Sequence, residues 1–186
     1  MHESTRGRLL VGTPPLLDPN FVHTVVLMIE HNADGALGVV LNRPTGTPLA
    51  DLLPAWGDLA VLPGFVHVGG PVQPDGMIGL ALLGTVDPVD IPGVSELWPG
   101  VGTLDLDAPP PGGSGWVRGV RCFAGYAGWG PDQLEGEIRG GSWFVVDRSP
   151  DDLWTPEPDR LWTRVLKRQG PELARFAHAP VDPSTN

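Results

Sequence analysis

Two apolar runs separated by a short polar interruption dominate the pattern of the chain. Thr24–His31 is a β-branched run, Asn32-Ala-Asp-Gly35 breaks it, and Ala36–Asn42 returns. Asp34-Gly35 is a strong reversal signal, because glycine supplies the positive φ that a tight hairpin needs. Both arms are apolar on both faces for about five residues, so the hairpin is expected to be central and covered on two sides. Arg43-Pro44 ends it.

The other elements are shorter. Arg8–Gly12 predicts a strand stopped by Thr13-Pro14-Pro15, and the Asp-Pro-Asn chemistry of residues 16–21 predicts a turn. Thr47-Pro48 reads as hydroxyl N-cap and first helical residue, with Leu49, Leu52, Leu53 and Trp56 on one face. Phe65–Val68 predicts a strand. A Pro74-Asp75-Gly76 turn and a strand from Met77 to Leu83 are expected next. Residues 84–115 are rich in turn signals, with one alternating piece, Thr103–Asp107, whose Leu104 and Leu106 face inward. Pro109–Gly115 reads as a loop tip. Trp116–Ala124 predicts a strand with Val117, Gly119, Arg121 and Phe123 on one face and Arg118, Val120 and Cys122 on the other. A short helix over Pro131–Arg139, a strand over Ser142–Asp147 and a turn opened by Ser149-Pro150-Asp151-Asp152 follow. A helix from about Glu157 to Gln169 buries Leu161, Trp162, Val165 and Leu166, with Gly170 as its stop and a further turn through Phe176. No repeat or linker is present, so residues 1–186 are expected to form one domain, with an ordered core over about 7–178 and a frayed tail over 179–186.

Composition sharpens this picture. The 26 Gly and 22 Pro punctuate apolar runs instead of repeating, and seven Trp favour a packed, loop-rich protein over a disordered one. The formal net charge is −10, which opposes direct binding to nucleic acid or to an anionic membrane. Charge is unevenly spread. No Lys or Arg lies between Pro44 and Val117, whereas Arg160, Arg164, Lys167, Arg168 and Arg175 cluster near the end. Solvated surfaces of opposite sign are the first reading, and an electrostatic docking contact is the second. One cysteine, no signal-like start and no run long enough to span a membrane make the cytoplasm the expected compartment.

Candidate chemistry is sparse. Gly125-Tyr-Ala-Gly128-Trp-Gly130 between a strand and a helix invites a dinucleotide reading. Its G-x-x-G-x-G spacing is the reverse of that fingerprint, Trp129 crowds it, and Asp132 sits where phosphate would. Cys122 reads as buried and inert, since strand alternation sends Arg121 to the other face. His23, His31 and His67 lack metal-ligand spacing, Glu135 and Glu137 read as solvated acids, and no G-x-S-x-G or phosphate loop occurs. No metal or cofactor is therefore expected. Glu30-His31 and Asn42-Arg43 stand at opposite ends of the hairpin, roughly 15–25 Å apart at about 3.4 Å per residue, too far to form one site directly.

Leu9–Pro14, Asp18-Pro-Asn-Phe21, Val25–His31, Gly35–Pro44, Gly69-Gly-Pro-Val72 and Gly125–Trp129 with Gln133-Leu-Glu135 occur in that order. This set resembles the AlgH/YqgE-like family of bacterial proteins over about residues 7–178. His23-Thr24 and Pro131-Asp132 depart from the family pattern. The resemblance implies an α+β fold: a mixed, largely antiparallel sheet curled into a barrel-like core, with a few short helices packed outside. It implies no settled activity, although some members carry a label as transcriptional regulators. The leading expectation is a non-catalytic regulatory or partner-binding domain, another protein being the expected partner. The rival is a small-molecule or nucleotide-binding protein, an enzyme included, that uses Gly125–Gly130. The candidate binding residues are Glu30, His31, Asn42, Arg43, Tyr126 and Trp129.

Overall fold

The computed structural model describes residues 3–84, 91–112 and 115–181. Among the described residues ten strands are formed: β1 Leu9–Gly12, β2 Val25–Asn32, β3 Gly35–Val40, β4 Pro44–Pro48, β5 Phe65–Val68, β6 Val72–Leu83, β7 Val94–Trp98, β8 Val101–Leu104, β9 Val117–Trp129 and β10 Trp143–Val146. The helices are short: α1 Leu49–Leu52, α2 Gln133–Arg139, α3 Leu161–Lys167 and α4 Pro171–Ala174, joined by 3-10 turns. The strand order is β10-β1-β2-β3-β9-β6-β8-β7, with β4 and β5 branching off β9. Pairing is antiparallel except between β5 and β9. This is the expected α+β fold, a curled and largely antiparallel sheet with few short helices. No helix among the described residues is long and apolar enough to cross a membrane.

The two apolar arms are neighbours, with Val26 opposite Val40, Leu27 opposite Val39 and Asn32 opposite Gly35. Gly35 takes φ +135°, and the Asp34 amide donates to Asn32 Oδ1 at 2.8 Å. A bulge at Ile29 shifts the register between Met28 and Glu30. Alternation divides the arms between two cores. Val25, Leu27, Ile29, Val39 and Leu41 join Leu153, Leu161, Val165 and Leu166 on one face, while Val26, Met28 and Val40 join Leu10, Trp129, Leu134 and Trp143 on the other. Each fully buried aliphatic side chain contributes about 2 kcal/mol, so a hairpin loaded on both faces is held from both sides.

Several expectations need correction. Thr47 does not cap α1: Thr47 and Pro48 belong to β4, and Leu52 is exposed, because Pro54 turns the chain into a 3-10 helix after one helical turn. The Pro74–Gly76 turn is a wide bulge inside β6, whose register jumps from Val72–Tyr126 to Met77–Ala124. The weak ground over 84–115 contains β7, which the sequence reading missed, and β8 stops at Leu104, so Asp105 and Asp107 lie in a turn. Val117 packs with Val120 and Cys122, not on the Arg121 face, because the β6–β9 register slips between Leu82 and Leu83 and reverses the alternation. Residues 85–90, Gly113, Ser114 and most of the expected tail lie outside the described residues.

The sequence also concealed a buried cation. Arg121 is 2% exposed, and its guanidinium donates to the carbonyls of Leu153 and Thr155 at 2.9 Å and to that of Leu62. It ties the loop before β5 to the segment after β10. Burial lowers its pKa to about 10, which leaves it charged at neutral pH. Near it, His67 is fully buried with Nε2 unpartnered and Nδ1 against the Phe65 carbonyl. Burial first, and the Arg121 charge second, push His67 from 6.5 down to about 4. The unfolded chain therefore binds a proton that the folded chain refuses, so stability falls as pH drops from 6.5 towards 4, by on the order of 3 kcal/mol at the lower limit. Denaturant unfolding at pH 6.5 and 4.5 should show the native chain losing more stability than His67→Leu. Equal losses would remove His67 as the source.

Candidate functional site

The tip of the hairpin meets β9 at a fork in the sheet. β9 pairs with β6 from Val117 as far as Tyr126, with the bulge opposite Gly125, and then with β3 over Ala127–Trp129. Gly125, at φ +70°, makes the crossing, and a Cβ there would strike the carbonyl oxygens of Gly70 and Val72. Gly69 and Gly70 are equally crowded by the β9 backbone. The glycines thus serve strand-on-strand approach. The segment expected to be a strand-to-helix loop is strand as far as Trp129. After it, α2 is only seven residues long and begins behind Asp132 at φ +59°.

Where the strands part, a crevice of about 400 Å³ opens. Glu30, Asn32, Asp34 and Gly35–Leu37 form one wall, and Val72, Tyr126, Gly128 and Trp129 form the other. Gly128 clears space for the Tyr126 ring, which lies 3.4 Å from where a Cβ would stand. Glu30 and Asp34 are exposed, and neither Lys nor Arg lines the crevice. The arrangement offers two carboxylates beside an aromatic and aliphatic floor, a surface suited to a cation on an apolar stem.

The Trp129 wall is fixed from behind. Its indole N–H and that of Trp143 both donate to Glu137 Oε2, at 2.9 and 2.8 Å. Gln133 donates to Glu137 Oε1 at 3.3 Å and accepts from the Gly130 amide at 3.0 Å. Phe21 packs against both rings, offset-stacked on Trp129 and edge-on to Trp143. Glu137 is therefore a partner of two indoles, and Glu135 is also engaged, which corrects the reading of both as solvated acids. Two acids two apart on a helix point in different directions, and each here meets a ring N–H.

His31 lies on the far side of β2 from Glu30, with its side chain 4% exposed. Its Nε2 is 2.9 Å from Glu135 Oε1, and its Nδ1 accepts the Thr5 amide at 3.0 Å, with Thr5 Oγ1 also at 3.0 Å. The amide can only donate, so Nδ1 is an acceptor and Nε2 donates to the carboxylate. His31 thus pins the N-terminal segment and separates two further hollows. One of about 370 Å³ is lined by Ser4, Asn32, Ala33 and Asp132, and one of about 290 Å³ by Thr5, Arg8, Ile138 and Arg139.

Of the six candidate residues, Glu30, Tyr126 and Trp129 come together in the fork crevice, and His31 stands behind it. Asn42 and Arg43 do not join them. Asn42 accepts from the Val25 amide and donates to the His23 carbonyl, each at 2.9 Å. Arg43 donates to the carbonyls of Pro19, Asn20 and Val22, and burial pushes its guanidinium below its usual value, partly offset by Asp18. Both clamp the hairpin's open end to the turn before β2. Asn32, Asp34, Leu37 and Val72 were missed, and the turn sequence itself was the signal for the first two. Cys122 is 1% exposed, and burial raises its thiol to about 12, so thiolate chemistry is suppressed at neutral pH. Among the described residues no three His, Cys, Asp or Glu side chains gather into a metal-binding group. The basic cluster is partly turned inward: Arg168 grips the buried Asp152 carboxylate through two 2.6 Å bonds.

A forked, curled, largely antiparallel sheet with a few short outer helices and an acidic crevice at the fork places the chain among α+β proteins. The chain belongs to the AlgH-like family: the family model described as "DUF179: AlgH-like" matches residues 9–174. It is 48% identical over 186 residues to a UPF0301 protein of Streptomyces avermitilis, covering 98% of this chain and 96% of that one. A UPF0301 protein of Streptomyces coelicolor is 49% identical over 185 residues, with the same coverage. A crystal structure of a Corynebacterium diphtheriae protein superposes with a TM-score of 0.86 at 29% identity, covering 95% of this chain and 93% of that chain. The solution structure of the AlgH protein from Pseudomonas aeruginosa gives 0.66 at 26% identity, covering 97% and 98%.

Glu137→Ala should release both indole N–H groups, shifting tryptophan emission to longer wavelength and costing about 2–4 kcal/mol in denaturant unfolding. Unchanged emission and an unchanged midpoint would mean that the shared carboxylate does not hold the wall.

Proposed function

We propose that the protein is a non-catalytic, cytoplasmic partner-binding protein, of a regulatory kind, that docks another protein at the fork crevice. The observation that carries this reading is how the polar groups are used. Arg121, Arg43, Asn42, His31, Glu137 and Asp152 are committed to internal bonds. Glu30, Asp34 and Tyr126, by contrast, surround an open concavity on rigid strands. No side chain there has a nucleophile–base geometry, whereas aromatic and charged groups on one concave face suit recognition.

The rival reading, a small-molecule or nucleotide site at Gly125–Gly130, is weakened as a phosphate cradle, because Gly125 is filled by the neighbouring backbone of Gly70 and Val72, Gly128 lies against the Tyr126 ring and the Val72 side chain, and the segment is strand as far as Trp129. The crevice beside them still leaves room for a small ligand.

A photo-crosslinking residue placed at Tyr126 tests the two together with a thermal-shift screen. Docking predicts one discrete protein adduct in bacterial extract, lost when Leu37→Asp is added and absent when the crosslinker is placed at Arg175. Diffuse labelling, combined with stabilisation of roughly 2–3 kcal/mol by a nucleotide or metabolite at a hundredfold excess over its dissociation constant, would replace docking with the rival.

A further inference from the structure

Strand register carries the floor of the fork crevice across three strands in one row. Glu30 on β2 stands opposite Leu37 on β3, and Leu37 stands opposite Gly128 on β9. Tyr126 lies two residues back on the same face of β9, beside its own partner Val72 on β6. Its ring folds towards Gly128, whose missing side chain leaves the room. A carboxylate, a half-buried aliphatic side chain and a phenol ring therefore follow one another over two strand spacings, about 10 Å. Asp34 adds a second carboxylate from the turn. Glu30 and Asp34 are exposed, and neither has an ion pair among the described residues. Behind the turn the acids are already engaged: Glu135 bonds His31, and Asp132 has a partner as well.

Resting on the docking reading above, we infer that the fork crevice is a socket for one arginine side chain of the partner protein. The stem lies across Leu37 and Val72, the guanidinium stacks on the Tyr126 ring, and its outer N–H groups turn to Glu30 and Asp34. Charge complementarity selects a cation, since two unpaired carboxylates line the hollow and no Lys or Arg does. The apolar row between them disfavours a small hydrated ion, which would leave Leu37, Val72 and the ring uncovered. Arginine fits better than lysine, because its guanidinium is planar, weakly hydrated and able to stack and hydrogen-bond at once. The socket is fixed before the arginine arrives. Leu37 and Tyr126 pack against the core under α3, and Glu137 holds Trp129 from behind. A preformed pocket of this kind lets a single anchor residue supply much of the affinity of an interface. The chain's net charge of −10 steers a cationic segment towards it, an effect that salt weakens.

The test is an amide-resolved NMR titration with capped pentapeptides, Gly-Ser-Xaa-Ser-Gly, in which Xaa is arginine, lysine or citrulline, the neutral isostere of arginine. The arginine peptide should shift the amides of Glu30, Leu37, Tyr126 and Gly128 with a dissociation constant on the order of 1 mM at low salt, and weaken as salt is raised. The lysine peptide should bind about threefold more weakly and the citrulline peptide about tenfold more weakly. Glu30→Gln and Tyr126→Leu should each weaken the arginine peptide about three- to tenfold. Asp51→Asn, at an exposed acid outside the crevice, should leave it unchanged. Spectra of the free variants check the fold, and should Tyr126→Leu disturb it, Glu30→Gln at its exposed position decides alone. The inference is overturned if the arginine peptide shifts none of these amides, if lysine or citrulline binds as well as arginine, or if Glu30→Gln binds unchanged. A discrete adduct at position 126 alongside any of those results leaves docking standing without the arginine. Absence of an adduct removes docking, and the inference with it.

Discussion

Burial of the β2–β3 hairpin on both faces is the constraint from which the remaining structure follows. Its alternating side chains seed two separate cores, one under α3 and one under α2 and β10. A hairpin exposed on one face would need polar residues there, and this sequence has none between Val25 and Ile29. α3 covers one side, and α2 with β10 the other, while Leu49, Trp56, Val66 and Ala81 build a third core with Val117, Val120 and Cys122 away from the hairpin. Polar clamps finish the job at each end: Arg43 and Asn42 at the open end, His31 near the tip.

The crevice is a by-product of that burial. The sheet cannot close around a hairpin loaded on both sides, so β9 divides its pairing between β3 and β6, and glycines at 69, 70 and 125 permit the crossing. The hairpin tip projects past the fork, which leaves Glu30 and Asp34 opposite Tyr126. Position on strands, backed by the Glu137 clamp on Trp129, makes the surface rigid before any partner arrives, and a preformed surface loses less on binding.

The hairpin, the strand starting at Phe65 and the inward face of α3 were legible, because each has local chemistry, period or β-branching. The helix expected over Glu157–Gln169 is instead a 3-10 turn at Pro158–Arg160 followed by α3, which closes at Lys167, short of Gly170, the residue that precedes α4. What escaped depends on distant partners. Pro74-Asp75-Gly76 has the composition of a turn, yet the straight run of β9 beside it converts the turn to a bulge. Gly125–Gly130 has the composition of a loop, yet its first glycine answers to Gly69 and Gly70 over fifty residues away. Arg121 looked like one more strand arginine, since nothing near it in sequence says that three carbonyls await it. At the site, Glu30, Tyr126 and Trp129 were chosen separately and meet in space. Asn42 and Arg43 were chosen on equal grounds and serve the backbone, which only tertiary neighbours decide.

The doubly covered hairpin is tested most directly by native-state hydrogen exchange followed by NMR. The Met28 amide donates to Arg8 and the Leu41 amide to Val25, both within the sealed arms. Those two amides should exchange only through global unfolding, with a protection free energy equal to the stability measured by denaturant. Exchange at Met28 and Leu41 as fast as at Ala33 in the turn would contradict the account.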